Sequence, residues 1–108
     1  MHENTEPSSL MTIKIVFESE VKMRVLFFLA YDSSREWCAY DIAGVVNSSY
    51  ENVIGVLCGK KGRYKRVKSL LYLGLVTRKK KKVGKRWLYF YKVTPEGAEI
   101  AETQRSYL

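Results

Sequence analysis

The stretch YDIAGVVNSSYENVIGVLC, residues 40 to 58, holds two apolar periodicities separated by three small polar residues. In its first half Ile42, Val45 and Val46 recur at helical spacing, and in its second half Val53, Val56 and Leu57 do the same. Between them stands Asn47-Ser48-Ser49, and Ser48 with Glu51 fits the Ser-x-x-Glu pattern in which the serine caps a new helix and the glutamate bonds back to it. A helix that restarts so soon after the last one ends leaves room only for a sharp turn. The spacing therefore predicts a helix-turn-helix over 40–58, with Tyr50, Asn52 and Gly55 pointing away from the face that Val53, Val56 and Leu57 define.

Downstream, an unbroken continuation to Leu73 would carry Gly55, Gly59 and Gly62 inside one helix, at about 1 kcal/mol each relative to alanine. The helix is expected to break at Gly59-Lys60-Lys61-Gly62, with Arg63 or Tyr64 opening a further helix whose Val67, Leu70 and Leu71 return to the core. The inserted segment 59–73 then leaves through Gly74 into a strand. Val83-Gly84-Lys85 supplies a turn, and RWLYFYKV, residues 86–93, is a second strand rich in β-formers. Residues 75–93 thus read as a β-hairpin with a lysine-loaded tip, and Trp87, Tyr89 and Tyr91 read as core and sheet face. Thr94, Pro95 and Glu96 sit where an N-cap, a first helical position and a first-turn acid belong, so a last helix covers 95–106 with Ile100, Thr103 and Tyr107 on one side.

Upstream, Val21, Val25, Phe28 and Leu29 make Ser19 to Tyr31 a core-facing helix capped by Ser19, followed by a short extended piece from Trp37 to Ala39. SSLMTIKIVF, residues 8–17, reads both ways, since Ile13, Ile15 and Phe17 alternate as in a strand while Leu10, Ile13 and Phe17 fit a helical face. Residues 1–8 read as a disordered polar tail.

Composition bounds what such a chain does. Its 108 residues allow one domain, 9–108, with a modest core. The 46% of hydrophobic residues is too many for a disordered chain, while the longest apolar run, Val25 to Tyr31, is far short of a bilayer span. MHENTEPSSL is polar and partly acidic, so no cleavable signal is expected and the default compartment is the cytoplasm. Cys38, Cys58 and His2 are too few to build an ordinary zinc site, and no Ser or Cys pairs with a histidine base. GKKGRYK, residues 59–65, lacks the glycine spacing and the Ser/Thr of a phosphate loop. The expectation is a protein without enzyme activity, cofactor, metal or evident small-molecule ligand.

Charge is more telling once it is mapped. Of the net +8, the segment from Asn52 to Pro95 carries fourteen Lys or Arg and no Asp or Glu, leaving five basic and eleven acidic residues elsewhere. Charge segregated in this way points to a polyanion, of which nucleic-acid backbone is the commonest. No single amphipathic helix carries it, which disfavours a membrane surface.

The succession of helix, short strand, helix, turn, helix, LGLV exit, basic hairpin and V-T-P-E-G resembles the winged helix-turn-helix of MarR, ArsR and PadR-type regulators over residues 17–102. DIAGVVNSSYENVIGVLCG followed by RYKRVKSLLYLGLV is closer still to a group of archaeal predicted transcriptional regulators. LGLV and TPEG are weak motifs separately and specific in this order. The resemblance implies an α+β, mostly α fold: a three-helix core, a two- to three-stranded antiparallel wing, and N- and C-terminal helices, residues 9–17 among them. It also implies double-stranded DNA as partner, with the second helix of the motif in the major groove and the wing on backbone or minor groove. Position by position, Ser49, Tyr50, Glu51 and Asn52 open the recognition helix. Glu51 is an acid close to phosphate, suited to the cap or to accepting from a cytosine amine. The candidate DNA-binding residues are Ser49, Tyr50 and Asn52; Lys60, Lys61, Arg63 and Lys65 of the insert; and Arg78, Lys79, Lys80, Lys81, Lys82, Lys85 and Arg86 of the wing. Gly55 suits close helix packing and close approach of DNA equally. A homodimer is expected, with 10–17 and 100–108 as its seam. The alternative is a non-enzymatic interaction module that uses the same fold to hold protein or RNA.

Overall fold

The computed structural model describes residues 6–60 and 65–106. Five helices and three strands follow in the order α1 (Glu6–Phe17), α2 (Glu20–Tyr31), β1 (Trp37–Cys38), α3 (Ala39–Val46), α4 (Tyr50–Cys58), β2 (Val76–Val83), β3 (Arg86–Val93) and α5 (Pro95–Ser106), with a short 3₁₀ turn at Arg66–Lys68. This is a winged helix: a mostly helical α+β fold in which α2, α3 and α4 form the core and a three-stranded antiparallel sheet, ordered β1-β3-β2, forms the wing and its root. α1 begins at Glu6, inside the stretch expected to be a tail.

The core forms where the apolar periodicities meet. Val25, Leu26 and Leu29 of α2, Ile42, Ala43 and Val46 of α3, and Val53, Val56 and Leu57 of α4 are buried together with Leu70, Val76 and Tyr91. Truncating a fully buried leucine such as Leu57 to alanine costs about 2–5 kcal/mol, the loss of transfer energy plus the cavity left behind. Val45, expected inside, is 58% exposed, and Ala43 takes its place.

The tight turn of the motif rests on Asn47, whose left-handed φ of 57° asparagine tolerates better than most residues. That twist lets the Asn47 and Ser48 amides both donate to the Ala43 carbonyl and close α3. The cap of α4 is Ser49, not Ser48: its Oγ accepts from the Asn52 amide at 3.0 Å. The cap therefore lies one residue later than expected, the Ser48–Glu51 capping box is not formed, and the Glu51 carboxylate pairs with Lys60 at 3.3 Å.

The helix expected to open at Arg63 or Tyr64 starts outside the described residues, and 66–73 is not a helix of that kind. α4 ends with carbonyls that need donors, and the Leu70 and Leu71 amides supply two of them, bonding Val56 O and Leu57 O at 2.9 Å each. Those amides cannot also serve an α-helix. The buried Ser69 organises the turn, donating to Arg66 O and accepting from the Tyr72 amide, while Val67 is 54% exposed rather than in the core. At the far end of the wing the Thr94 hydroxyl accepts from the Gly97 amide and donates to Gly74 O, tying the start of α5 to the exit into β2. Gly97 is required there by space: a Cβ would stand 2.1 Å from the Leu75 carbonyl oxygen. The inward face of α5 is Gly97, Ala101 and Gln104, with Ile100 and Thr103 only half-buried and Tyr107 outside the described residues.

Candidate nucleic-acid interface

The N-terminus of α4 presents polar groups on a rigid support. Ser49 is exposed while its hydroxyl caps the helix, and Tyr50 stacks face to face on Tyr40 of α3, ring centroids 4.1 Å apart and planes 18° from parallel. Both rings are exposed. Tyr40 was not among the candidates; an aromatic in the first turn of each helix of the motif was the signal for it. Asn52 is half-buried, with Nδ2 reaching the Ser48 hydroxyl at 3.4 Å, a long bond that leans the amide back towards the turn. Gly55 is buried and faces inward, not outward. It walls a cleft of about 240 Å³ shared with Ile15, Ser19, Lys22, Lys65 and Lys68.

In that cleft Lys22, also missed, is buried and donates from Nζ to the Lys68 carbonyl at 2.7 Å, which pins the insert to α2. Burial first, and then the charge of Lys68, hold its ammonium below the usual lysine pKa. Lys60 and Lys65 are exposed, while Lys61 and Arg63 lie outside the described residues.

The wing is built by the pairing of β2 with β3. Cross-strand partners share a face, so the register Arg78↔Tyr91, Lys80↔Tyr89, Lys82↔Trp87 puts these six side chains on one side of the hairpin. Lys79↔Phe90 and Lys81↔Leu88 occupy the other. The first face belongs to the side on which α4 packs: Tyr91 is buried, and its hydroxyl lies 3.8 Å from Cys58 Sγ at the end of α4. Burial and the neighbouring Cys58 thiol push the Tyr91 pKa up to about 12. Beyond Tyr91 the face leaves the core. Trp87 is 59% and Tyr89 41% exposed, contrary to the expectation that both are core and sheet face, because the hairpin projects past the last residue the helices cover. The Arg78 guanidinium lies over the Tyr89 ring at 4.1 Å and Lys80 Nζ 5.8 Å from it.

On the opposite face the lysines have a carboxylate partner that sequence distance concealed. Glu36, just before β1, reaches across to Lys81 and, at 3.7 Å, to Lys79. The hydrogen bond from Lys81 holds its carboxyl below the usual range, with the charges of both lysines adding to the effect. Lys81 Nζ also lies 5.0 Å from the Phe90 ring. Lys85 and Arg86 are exposed at the hairpin tip.

Among the described residues no group of three or more His, Cys, Asp or Glu could hold a metal ion, and no helix is long and apolar enough to cross a membrane. A family model described as EarA-like matches residues 12–103, which takes in the helix-turn-helix, the insert, the whole wing and most of α5. The chain belongs to the EarA-like family. No curated protein matches it significantly. The EarA-like match therefore covers every element that carries a candidate contact residue.

Proposed function

We propose that this protein is a DNA-binding transcriptional regulator that lays α4 in the major groove and sets its wing on the phosphate backbone. One observation carries the reading. Arg78, Lys80 and Lys82 stand on the face of the wing whose root, Tyr91, meets Cys58 at the end of α4, and among the described residues no carboxylate pairs with them, so that face offers positive charge that is uncompensated within the fold. Tyr50 and Asn52 are the groups at the start of α4 able to touch a base edge, Asn52 by the paired donor and acceptor that suit adenine. Lys60, held by Glu51, contributes less.

Two copies are needed for a site of useful length, and the exposed Leu10 and Met11 of α1 join Phe27, Tyr31 and Val45, apolar and exposed beside α5, as the surfaces for a homodimer. Titrating random and genomic duplexes at several salt concentrations tests the proposal. With five or six phosphates neutralised, log affinity against log salt should fall with a slope of about −5, at about −0.9 per phosphate. A flat salt response, or no duplex binding at low salt, refutes the DNA reading and favours a module that holds protein or RNA. Sedimentation of the same samples tests the dimer.

A further inference from the structure

The α4-side face of the wing holds more than charge. Indole and phenol rings average deep burial in folded proteins, yet Trp87 and Tyr89 stand out at the projecting end of β3, each directly across from a lysine, Lys82 and Lys80. Ring and ammonium alternate along one face of the hairpin, with Arg78 closing its inner end over Tyr89. Among the described residues no cation or second ring covers Trp87. A surface of this composition complements a polyanion that also offers planar apolar faces, which is a nucleic-acid strand with its bases turned outward.

Spacing decides the state of that strand. Residues 87 and 89 stand on the same face of β3, so their backbone positions are about 7 Å apart at roughly 3.4 Å per residue. Bases in an intact duplex rise by about 3.4 Å and already have both faces covered by neighbours, so two of them cannot seat on these rings, whereas an unstacked strand can.

We propose that this face of the wing stacks unpaired bases of DNA, with Trp87 as the principal platform and Lys80 and Lys82 holding the flanking phosphates. The proposal rests on the DNA-binding reading above. Because α4 needs an intact major groove, the occupant is a junction where the duplex that α4 grips opens into unpaired strand under the wing.

The test compares a fully paired duplex, the same duplex with an internal run of mismatches, and the single strands, following both affinity and tryptophan emission. The parent protein is expected to bind the mismatched duplex about tenfold more tightly than the paired one, within the range that aromatic stacking supplies. Its emission should be quenched on binding. Trp87→Ala should abolish the preference and the quenching while leaving paired-duplex affinity within about twofold, and Trp87→Phe should keep part of the preference. Subtracting the Trp87→Phe signal removes the emission of Trp37. Thermal unfolding of each variant should match the parent, since the ring is exposed. Equal affinity for paired and mismatched duplexes, or a preference that survives Trp87→Ala, overturns the proposal. So does a single strand bound as tightly as the junction, which marks a general strand-binding face. A Trp87 emission that depends on protein concentration without DNA overturns it too, and assigns the face to contact between two copies. Failure of the underlying reading is separate: no duplex of any kind then binds at low salt.

Discussion

Four consecutive lysines, Lys79 to Lys82, are indistinguishable in sequence, and the pleat of β2 deals them alternately to two different surfaces. On one, Lys79 and Lys81 share the carboxylate of Glu36 and sit above Phe90 and Leu88. On the other, Lys80 and Lys82 stand beside Tyr89 and Trp87, with no carboxylate partner among the described residues. Charge count treats the faces as equal. Field does not, because an ammonium held by a carboxylate has much of its attraction for phosphate already spent.

If the comparison is right, the two pairs differ when removed. Replacing Lys80 and Lys82 by alanine should weaken binding to all duplexes alike and make the salt slope shallower by about two units, at roughly 0.9 per lost phosphate contact. This is the largest effect expected of any exposed pair on the wing. Replacing Lys79 and Lys81 should change the slope by about half a unit or less, since those charges release few counterions that Glu36 has not already displaced. Parallel salt titrations of the two double variants decide the matter. Equal losses would show that both faces meet DNA and that the pleat is irrelevant to the contact.

A smaller effect, opposite in sign, is expected from Glu36→Gln. Freeing Lys79 and Lys81 should steepen the slope by up to about one unit and raise affinity for random duplex a few-fold. Stability should change little, and its pH dependence has a definite direction. The folded-state pKa of Glu36 lies below its ordinary value, so its contribution is complete above the ordinary carboxylate range and is lost as pH falls through the lowered value. The parent's small advantage in stability over the variant should therefore be present at neutral pH and disappear at the acid end, where the two folding titrations converge. A variant that bound DNA less tightly than the parent would instead make Glu36 a residue that orients the wing for contact.

Much of this is legible in the sequence. Val53, Val56 and Leu57 are all buried as their spacing requires, and the TPEG segment starts α5 with Thr94 as expected. Both depend on local periodicity and local hydrogen bonds, which a sequence displays. The failures are non-local. The Glu36 pairing joins residues more than forty apart in the chain, so a segment free of acids in sequence is not free of them in space. The expected helix after Arg63 was lost to α4, whose terminal carbonyls claim the Leu70 and Leu71 amides. Trp87 and Tyr89 have the composition of a core strand, and only the length of the hairpin relative to the helices beneath it leaves them outside. Lys22 is invisible for a related reason, as nothing about a lysine in a helix announces a buried bond to Lys68.

The smallest expected effect tests where the α4-side face begins. Tyr91 lies on the same face as Lys80 and Lys82 yet is buried, its hydroxyl near Cys58 and its register partner Arg78 projecting towards Tyr89. Tyr91→Phe keeps the ring and so the packing, and should cost about 1 kcal/mol or less at neutral pH, the size of one ordinary hydrogen bond. Its signature is at alkaline pH. A phenol that ionises near pH 12 when folded and near 10 when unfolded contributes stability that is complete below pH 10 and lost as pH rises through 12. The parent should lose stability over that window with the slope of one proton, and the variant should lack that component. DNA binding at neutral pH supplies the other half of the test. If Tyr91 is only the root of the face, the salt slope of the variant equals the parent's. If the hydroxyl also fixes Arg78 against a phosphate, the slope falls by about one unit, and the contacting face then extends inward from the tip to the end of α4.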